Sequence, residues 1–127
     1  MNELKKVQTK KAPAAVGPYS QAIVLNNVVY TSGQIPLDPV SGNIVGDNVK
    51  EQATQVMKNL SEVLQEAGTS FESAIKTTCF LSDMNDFVEF NEVYAEYFVS
   101  NPARSCVAVK TLPKNVLCEV EVTALIK

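Results

Sequence analysis

An alternation near the C-terminus, CEVEVTALI (residues 118–126), constrains the fold more than any other stretch of this chain. Apolar residues fill every second position, and Glu119, Glu121 and Thr123 stand between them. A period of two predicts a β-strand that turns one face toward a core. The two glutamates then lie together on the opposite face of the sheet.

The segment before it, Arg104–Leu112, also reads as a strand but has no plainly polar face. Cys106 and Ala108 alternate there with Val107 and Val109, so both faces are apolar. Helices that cover one face of such a sheet leave the other face without cover. We therefore expect a further copy of the chain to supply it.

The whole pattern predicts one α+β domain over residues 1–127, a sandwich with two helices on one face of a mixed sheet. An Asn48–Glu51 capping box and a Gly68 stop bracket the clearest helix. The predicted elements are a strand near Lys5–Thr9, a hairpin within Ser20–Ile35 that turns at Asn26-Asn27, a helix over Val49–Ala67, a strand over Glu72–Ser82, a helix over Asn85–Val99, and strands over Arg104–Leu112 and Leu117–Ile126.

Periodicity also predicts which side chains pack inward. On the strand Glu72–Ser82, one face carries Ile75, Thr77, Cys79 and Leu81. The second helix has an aromatic stripe that we interpret as core packing, formed by Phe87, Phe90, Tyr94, Tyr97 and Phe98.

Composition excludes several function classes. A net charge of −3 and a pI near 4.9 argue against nucleic-acid binding, which needs a basic face. The absence of histidine removes histidine-based triads and histidine metal sites. Three cysteines, an odd number without paired spacing, favour a reducing compartment, and no apolar run is long enough for a membrane span. We expect a cytoplasmic protein.

The candidate site residues each have an ordinary structural alternative. Arg104, the only arginine, could clamp a carboxylate with its forked donors, or be a solvated charge or salt bridge at a strand end. Gly33 could let a ligand approach the backbone, or mark a bulge. Tyr19 could lie over a flat substrate or simply pack.

Cys106 and Glu119 are weaker candidates when each is taken alone. Cys106 could be a nucleophile, but no histidine lowers its pKa, so a small buried residue is the better interpretation. Glu119 could position a water or transfer a proton, although a single carboxylate on a strand is unremarkable.

Six collinear segments together resemble the RidA/YjgF family of reactive intermediate deaminases. They are APAAVGPYSQA, VYTSGQIP, KTTCFLSDMNDF, FNEVYAEYF, PARSCVAV and LPKNVLCEVEVTAL, and they span about Ala12 to Ile126. The resemblance implies a chorismate mutase-like fold and a homotrimer whose sheets form a barrel-like core, with ligand sites between subunits. One departure is the short segment VSN before PARS, which bears on the size of substrate accepted.

The resemblance also implies an activity, which is the hydrolysis of small 2-imino acids such as 2-iminopropanoate and 2-iminobutanoate to 2-oxo acids and ammonia. The imines come from PLP-dependent dehydratases, and no metal or cofactor is expected. By position, Arg104 would hold the substrate carboxylate and Glu119 the attacking water. The residues that would line the cleft are Tyr19, Ser32, Gly33, Asn91 and the backbone of Cys106.

Strand spacing adds a geometric expectation. If the last two strands pair as a hairpin through PKNV, Arg104 and Glu119 lie about 20 Å apart. The two side chains would then meet only across a subunit interface. A regulatory module that binds a small 2-oxo or amino acid without hydrolysis is an alternative function, because binding needs only the clamp. Endoribonuclease activity is disfavoured by the acidic pI and the missing histidine.

Overall fold

The computed structural model describes residues 3–127, which form a six-stranded sheet and two α-helices. The strands are β1 (Lys5–Val7), β2 (Ala22–Leu25), β3 (Val28–Thr31), β4 (Ala74–Leu81), β5 (Ala103–Ala108) and β6 (Cys118–Leu125), and the helices are α1 (Val49–Ala67) and α2 (Phe87–Tyr97). Their order across the sheet is β1-β2-β3-β6-β4-β5. Only β4 and β5 run parallel, so the predicted α+β class and mixed sheet are confirmed.

Helix α1 has the ends that its sequence predicts. The side chain of Asn48 accepts the Glu51 N–H at 2.9 Å, and Gly68 ends the helix at a left-handed φ of 93°. Glu51 reaches back to the Asp47 N–H at 2.9 Å, one residue earlier than a capping box requires. The inner stripe of α1, which includes Val56 and Leu60, is fully buried against the sheet.

Helix α2 begins later than predicted. Asp83 caps a single 3₁₀ turn over Met84–Asp86, and the α-helix starts at Phe87 rather than Asn85. Its aromatic stripe packs into the core as expected, with Phe90, Tyr94 and Phe98 buried and Phe87 and Tyr97 partly buried.

One face assignment on β4 is wrong. Thr77, Cys79 and Leu81 are buried as predicted, but Ile75 is 46% exposed. The pairing of β4 with β6 shifts register between Ala74 and Lys76, and a bulge of this kind turns the extra side chain away from the core.

The predicted hairpin of the last two strands is also wrong. Strand β4 lies between β5 and β6, pairing parallel with β5 and antiparallel with β6. A parallel pair needs a crossover, which α2 supplies. Strand β5 ends at Ala108 rather than Leu112, so residues 109–117 are free to pass over the end of β4.

The alternation in the last strand places its apolar face under the helices. Cys118, Val120 and Ala124 are fully buried, while the residues between them point to the other side of the sheet. That second side exposes large apolar groups, with Tyr30 47%, Val107 46% and Leu125 44% accessible. Within residues 3–127 no element of the single chain covers these apolar groups, as the sequence predicts.

Neither helix within residues 3–127 combines the length and apolar character that crossing a bilayer requires.

Candidate functional site

Arg104 lies under helix α2, held between an amide and two aromatic rings. Its Nη1 donates a hydrogen bond of 2.8 Å to Oδ1 of Asn91. Its guanidinium carbon is 4.6 Å from the ring centroid of Tyr94 and 5.6 Å from that of Phe87. We call Asn91, Tyr94, Phe87 and Arg104 the arginine half-site, which opens into a cleft of about 290 Å³.

Arg104 forms no salt bridge within the part of the chain that the structure describes, where the only ion pair joins Lys50 and Glu92 at 2.6 Å. The alternative in which Arg104 pairs with a surface acid is therefore wrong for the single chain. Since Asn91 uses only part of its forked donors, the guanidinium can still donate hydrogen bonds to a carboxylate.

Cys106 is two residues beyond Arg104 on the same face of β5, opposite Cys79 on β4. Burial raises the pKa of the Cys106 thiol more than the nearby Arg104 charge lowers it. Burial likewise raises the pKa of Cys79 to about 12. Both thiols stay protonated at neutral pH, which favours a packing role for the Cys106 side chain over a nucleophilic one.

The second cluster forms around an irregularity where β3 meets β6. Tyr30 pairs with Thr123, whereas Gln34 bridges Val120, so one extra residue on the β3 side is accommodated as a bulge. The Thr31 hydroxyl accepts the N–H of Val122 at 3.0 Å in place of a backbone carbonyl. The bulge carries Ser32 and Gly33 outward.

Gly33 makes room for Glu119. A Cβ at position 33 would overlap the Glu119 Oε2 atom and lie 2.8 Å from its Cδ. The carboxylate therefore rests against the glycine backbone. Burial, reinforced by the charge of Glu121, raises the pKa of Glu119.

Tyr19 and Ser32 complete this cluster. The Ser32 hydroxyl donates to the Ser20 carbonyl at 2.6 Å, and Tyr19, half exposed, accepts the Val16 N–H at 3.4 Å. We call Tyr19, Ser32, Gly33 and Glu119 the glutamate half-site. It lines a largely apolar cleft of about 610 Å³.

The two half-sites lie on opposite faces of one sheet. Arg104 is in register with Thr77, whose buried side chain faces α2, while Glu119 is in register with Phe80 on the other side. The hairpin from which their separation was predicted does not exist. A different reason, the opposite faces, keeps the two charged groups apart in one chain. That they meet across subunits stays a prediction.

Tyr94 and Phe87 were interpreted from the sequence as core only, so their contact with Arg104 was missed. A signal was available, because Phe87, Asn91 and Tyr94 follow at steps of four and three and therefore share one helix face. Helix periodicity does not show which strand lies beside that face. The position of Arg104 depends on the parallel pairing of β5 with β4.

Comparison with known proteins identifies the family. The family model described as Endoribonuclease L-PSP matches residues 9–126. The chain belongs to the RidA/YjgF/L-PSP family. It is 52% identical to AldR of Lactococcus lactis, a protein named for a proposed regulatory role, over 98% of this chain and 99% of that protein.

Two further relatives carry more specific names. The chain is 48% identical to the human 2-iminobutanoate/2-iminopropanoate deaminase, over 94% of this chain and 88% of that protein. Among solved structures, that of E. coli TdcF with bound serine is 42% identical and superposes with a TM-score of 0.91, covering 97% of this chain and 99% of TdcF. Family and fold agree with the resemblance noted in the sequence.

Proposed function

We propose that this protein hydrolyses small 2-imino acids to 2-oxo acids and ammonia, at sites that two copies of the chain build together. The carrying observation is the division of the predicted site residues into two incomplete half-sites on opposite sheet faces. Within residues 3–127 neither the Arg104 cation of one half nor the Glu119 carboxylate of the other forms an ion pair, although Lys114 also lines the cleft of the second half. The relatives named as imine deaminases support the choice of reaction.

The reaction requires the protein only to orient the substrate and a water molecule. In the protonated substrate, R–C(=NH₂⁺)–COO⁻, carbon 2 is already electrophilic. Arg104 would hold the carboxylate through two parallel hydrogen bonds, and Glu119 would orient a water toward carbon 2. Water adds to that carbon, protons pass from the added oxygen to nitrogen, and the C–N bond breaks to give R–CO–COO⁻ and NH₄⁺.

We further propose that the assembly is a homotrimer, in which the side of the sheet away from the helices packs against its copies. Tyr30, Val107 and Leu125 provide the surface that such packing would bury. In this arrangement Arg104 of one copy and Glu119 of the next enclose the same substrate. Three free cysteines favour a reducing compartment, and we keep the cytoplasm as the predicted location.

The activity test generates 2-aminoacrylate in situ with a serine dehydratase and follows the formation of the 2-oxo acid. We expect the protein to accelerate this step, and Arg104→Ala to cost about 2 to 4 kcal/mol of transition-state binding. Lys110→Ala, which removes an exposed cation near the same strand, is the matched control. An Arg104→Ala rate equal to that of the control would contradict the clamp.

Shared sites are tested by mixing two inactive variants. Chains carrying Arg104→Ala and chains carrying Glu119→Ala are unfolded together and refolded, so that subunits exchange. If each site takes Arg104 from one copy and Glu119 from another, about a quarter of the sites regain both residues in an equal mixture. A mixture no more active than either variant would show that each chain builds its own site.

A regulatory function is the second candidate, supported by the similarity to AldR. It predicts that 2-oxo acids bind through Arg104 and that the dehydratase product decays no faster in the presence of the protein. Ribonuclease activity is suggested by the description of the family model and by the descriptions of two similar solved structures. It is tested by incubating RNA with nuclease-free protein, and we expect no cleavage because the net charge is −3.

A further inference from the structure

The orientation of the Arg104 guanidinium depends on more than Asn91. The hydrogen bond from Nη1 to the Asn91 amide oxygen fixes one point of the guanidinium, which could still pivot about that bond. The guanidinium carbon also lies over the Tyr94 ring, 4.6 Å from its centroid. Attraction between a cation and an aromatic face favours this position of the guanidinium, and the Phe87 ring, whose centroid is 5.6 Å away, adds a weaker contact.

Tyr94 is itself held rigidly. Its hydroxyl shares a buried hydrogen bond of 2.7 Å with the Thr77 hydroxyl on β4. Its ring stacks on Phe98, with ring centroids 4.5 Å apart and planes 24° from parallel, and it also lies against Phe90, with centroids 6.0 Å apart. Thr77 is the register partner of Arg104, so the bond ties the ring to the strand position beside the arginine.

We propose that Tyr94, anchored by Thr77, is the positioning residue for Arg104. The ring sets the plane of the guanidinium, and Asn91 sets its rotation within that plane. The fork is then aligned for a carboxylate before the ligand arrives, which lowers the ordering cost of binding. The consequence for catalysis rests on the proposed deaminase function, while the positioning of the arginine does not.

An ordinary packing role makes different predictions. Tyr94 is 8% exposed and belongs to the core, so removing it will lower stability in either case. Only the positioning role links the ring to the mobility of Arg104 and to carboxylate affinity. Because Arg104 is the only arginine in the chain, its Nε–H gives one assignable side-chain NMR signal that reports this mobility directly.

The experiment compares Tyr94→Leu, which removes the ring, with Tyr94→Phe, which keeps it. We expect Tyr94→Leu to lose the ring-current shift of the Arg104 Nε–H and to lower its order parameter. Weakening of pyruvate binding and a rise in KM by about 3- to 30-fold follow, with kcat nearly unchanged. In Tyr94→Phe the ring stays, so the shift is retained and KM stays within about 3-fold of the parent value. Because this variant also loses the hydroxyl bond to Thr77, its Arg104 signal should broaden as it does in Thr77→Val.

A second comparison isolates the route of the effect. In an Arg104→Lys background the compact ammonium lacks a plane to align, so Tyr94→Leu should add little further loss of pyruvate affinity. If Tyr94→Leu fails to fold, Tyr94→Met replaces it, and Thr77→Val tests the anchor while leaving the ring in place. Thr77→Val is expected to broaden the Arg104 signal.

Two results would overturn the proposal. One is an unchanged Arg104 signal and pyruvate dissociation constant in the variant without the ring. The other is an equal loss of pyruvate affinity from Tyr94→Leu with arginine or lysine at position 104. A parent protein without deaminase activity would refute the proposed reaction instead, since the NMR and pyruvate measurements do not require turnover.

Discussion

At the scale of single residues, the contact between Gly33 and Glu119 joins a backbone feature to the electrostatics of the site. The glycine admits the carboxylate against the bulge, where burial and the Glu121 charge raise its pKa. The sequence pattern could indicate a glycine at a strand end and a glutamate on a sheet face. It could not show their contact, because the contact depends on a bulge that shifts β3 by one residue against β6.

The raised pKa of Glu119 predicts an acid limb in the rate. If the carboxylate orients the water, kcat/KM is lost as pH falls through a pKa above 4.5, the ordinary value for this group. The residual rate of Glu119→Gln should be much lower and flat across the same pH range. Profiles of kcat/KM for both proteins between pH 4 and 7 check this, and a limb that persists in the variant would assign it to another group.

The raised pKa of Glu119 also affects the free energy of unfolding. A salt-bridged acid, whose pKa is lowered, stabilises the fold when it ionises, whereas Glu119 destabilises it. A folded-state pKa above the unfolded value means that ionised Glu119 opposes folding at neutral pH. Glu119→Gln should therefore be at least as stable as the parent at pH 7, and the difference should vanish as pH falls below 4.5. A loss of activity in this variant would then reflect chemistry rather than unfolding.

At the scale of elements, Gln21 fixes the loop that carries Tyr19. Its amide nitrogen donates to the carbonyls of Thr9, Ala12 and Pro13, at 3.1, 3.3 and 2.8 Å. Its amide oxygen accepts the Thr9 N–H at 2.7 Å. This 3% exposed side chain thus satisfies the backbone of the segment leading into the glutamate half-site.

Replacing Gln21 should affect both stability and the site. Gln21→Leu keeps the volume but leaves backbone groups without partners, at a cost of about 1 to 3 kcal/mol. Urea unfolding measures this loss, and faster hydrogen exchange of the Thr9 N–H, which bonds to the Gln21 amide oxygen, would show that the loop is released. Gln65→Leu on the exposed side of α1 is the matched control, and an equal effect there would contradict the anchoring role.

At the scale of the whole molecule, the sequence predicts which helices and strands form better than it predicts the order of the strands in the sheet. Both helices, the first hairpin and the buried face of β6 follow from periodicity and caps, which are local. The placement of β4 between β5 and β6 is non-local. The strand-like pattern continues from Ala108 through Val109 to Leu112, so it did not indicate that β5 ends at Ala108. The division of the site between two faces follows from that order and was therefore beyond local patterns.

The exposed side of the sheet gives the prediction that tests the assembly. Tyr30→Glu adds a negative charge near Glu121 and Thr123 on this side of the sheet, where it cannot be buried against a copy without a large desolvation cost. Val40→Glu, at a 95% exposed loop position, adds the same charge elsewhere and serves as control.

We expect sedimentation velocity to show trimers for the parent and for Val40→Glu, and monomers for Tyr30→Glu. Circular dichroism should report a folded chain in all three, because Tyr30 is already 47% exposed in the single chain. Deaminase activity should fall with the trimer, since dissociation separates the arginine half-site of one copy from the glutamate half-site of the next. Full activity in a monomeric Tyr30→Glu protein would contradict shared sites. Because the sheet separates Arg104 from Glu119 in one chain, that result would also mean that the two residues do not act on the same substrate molecule.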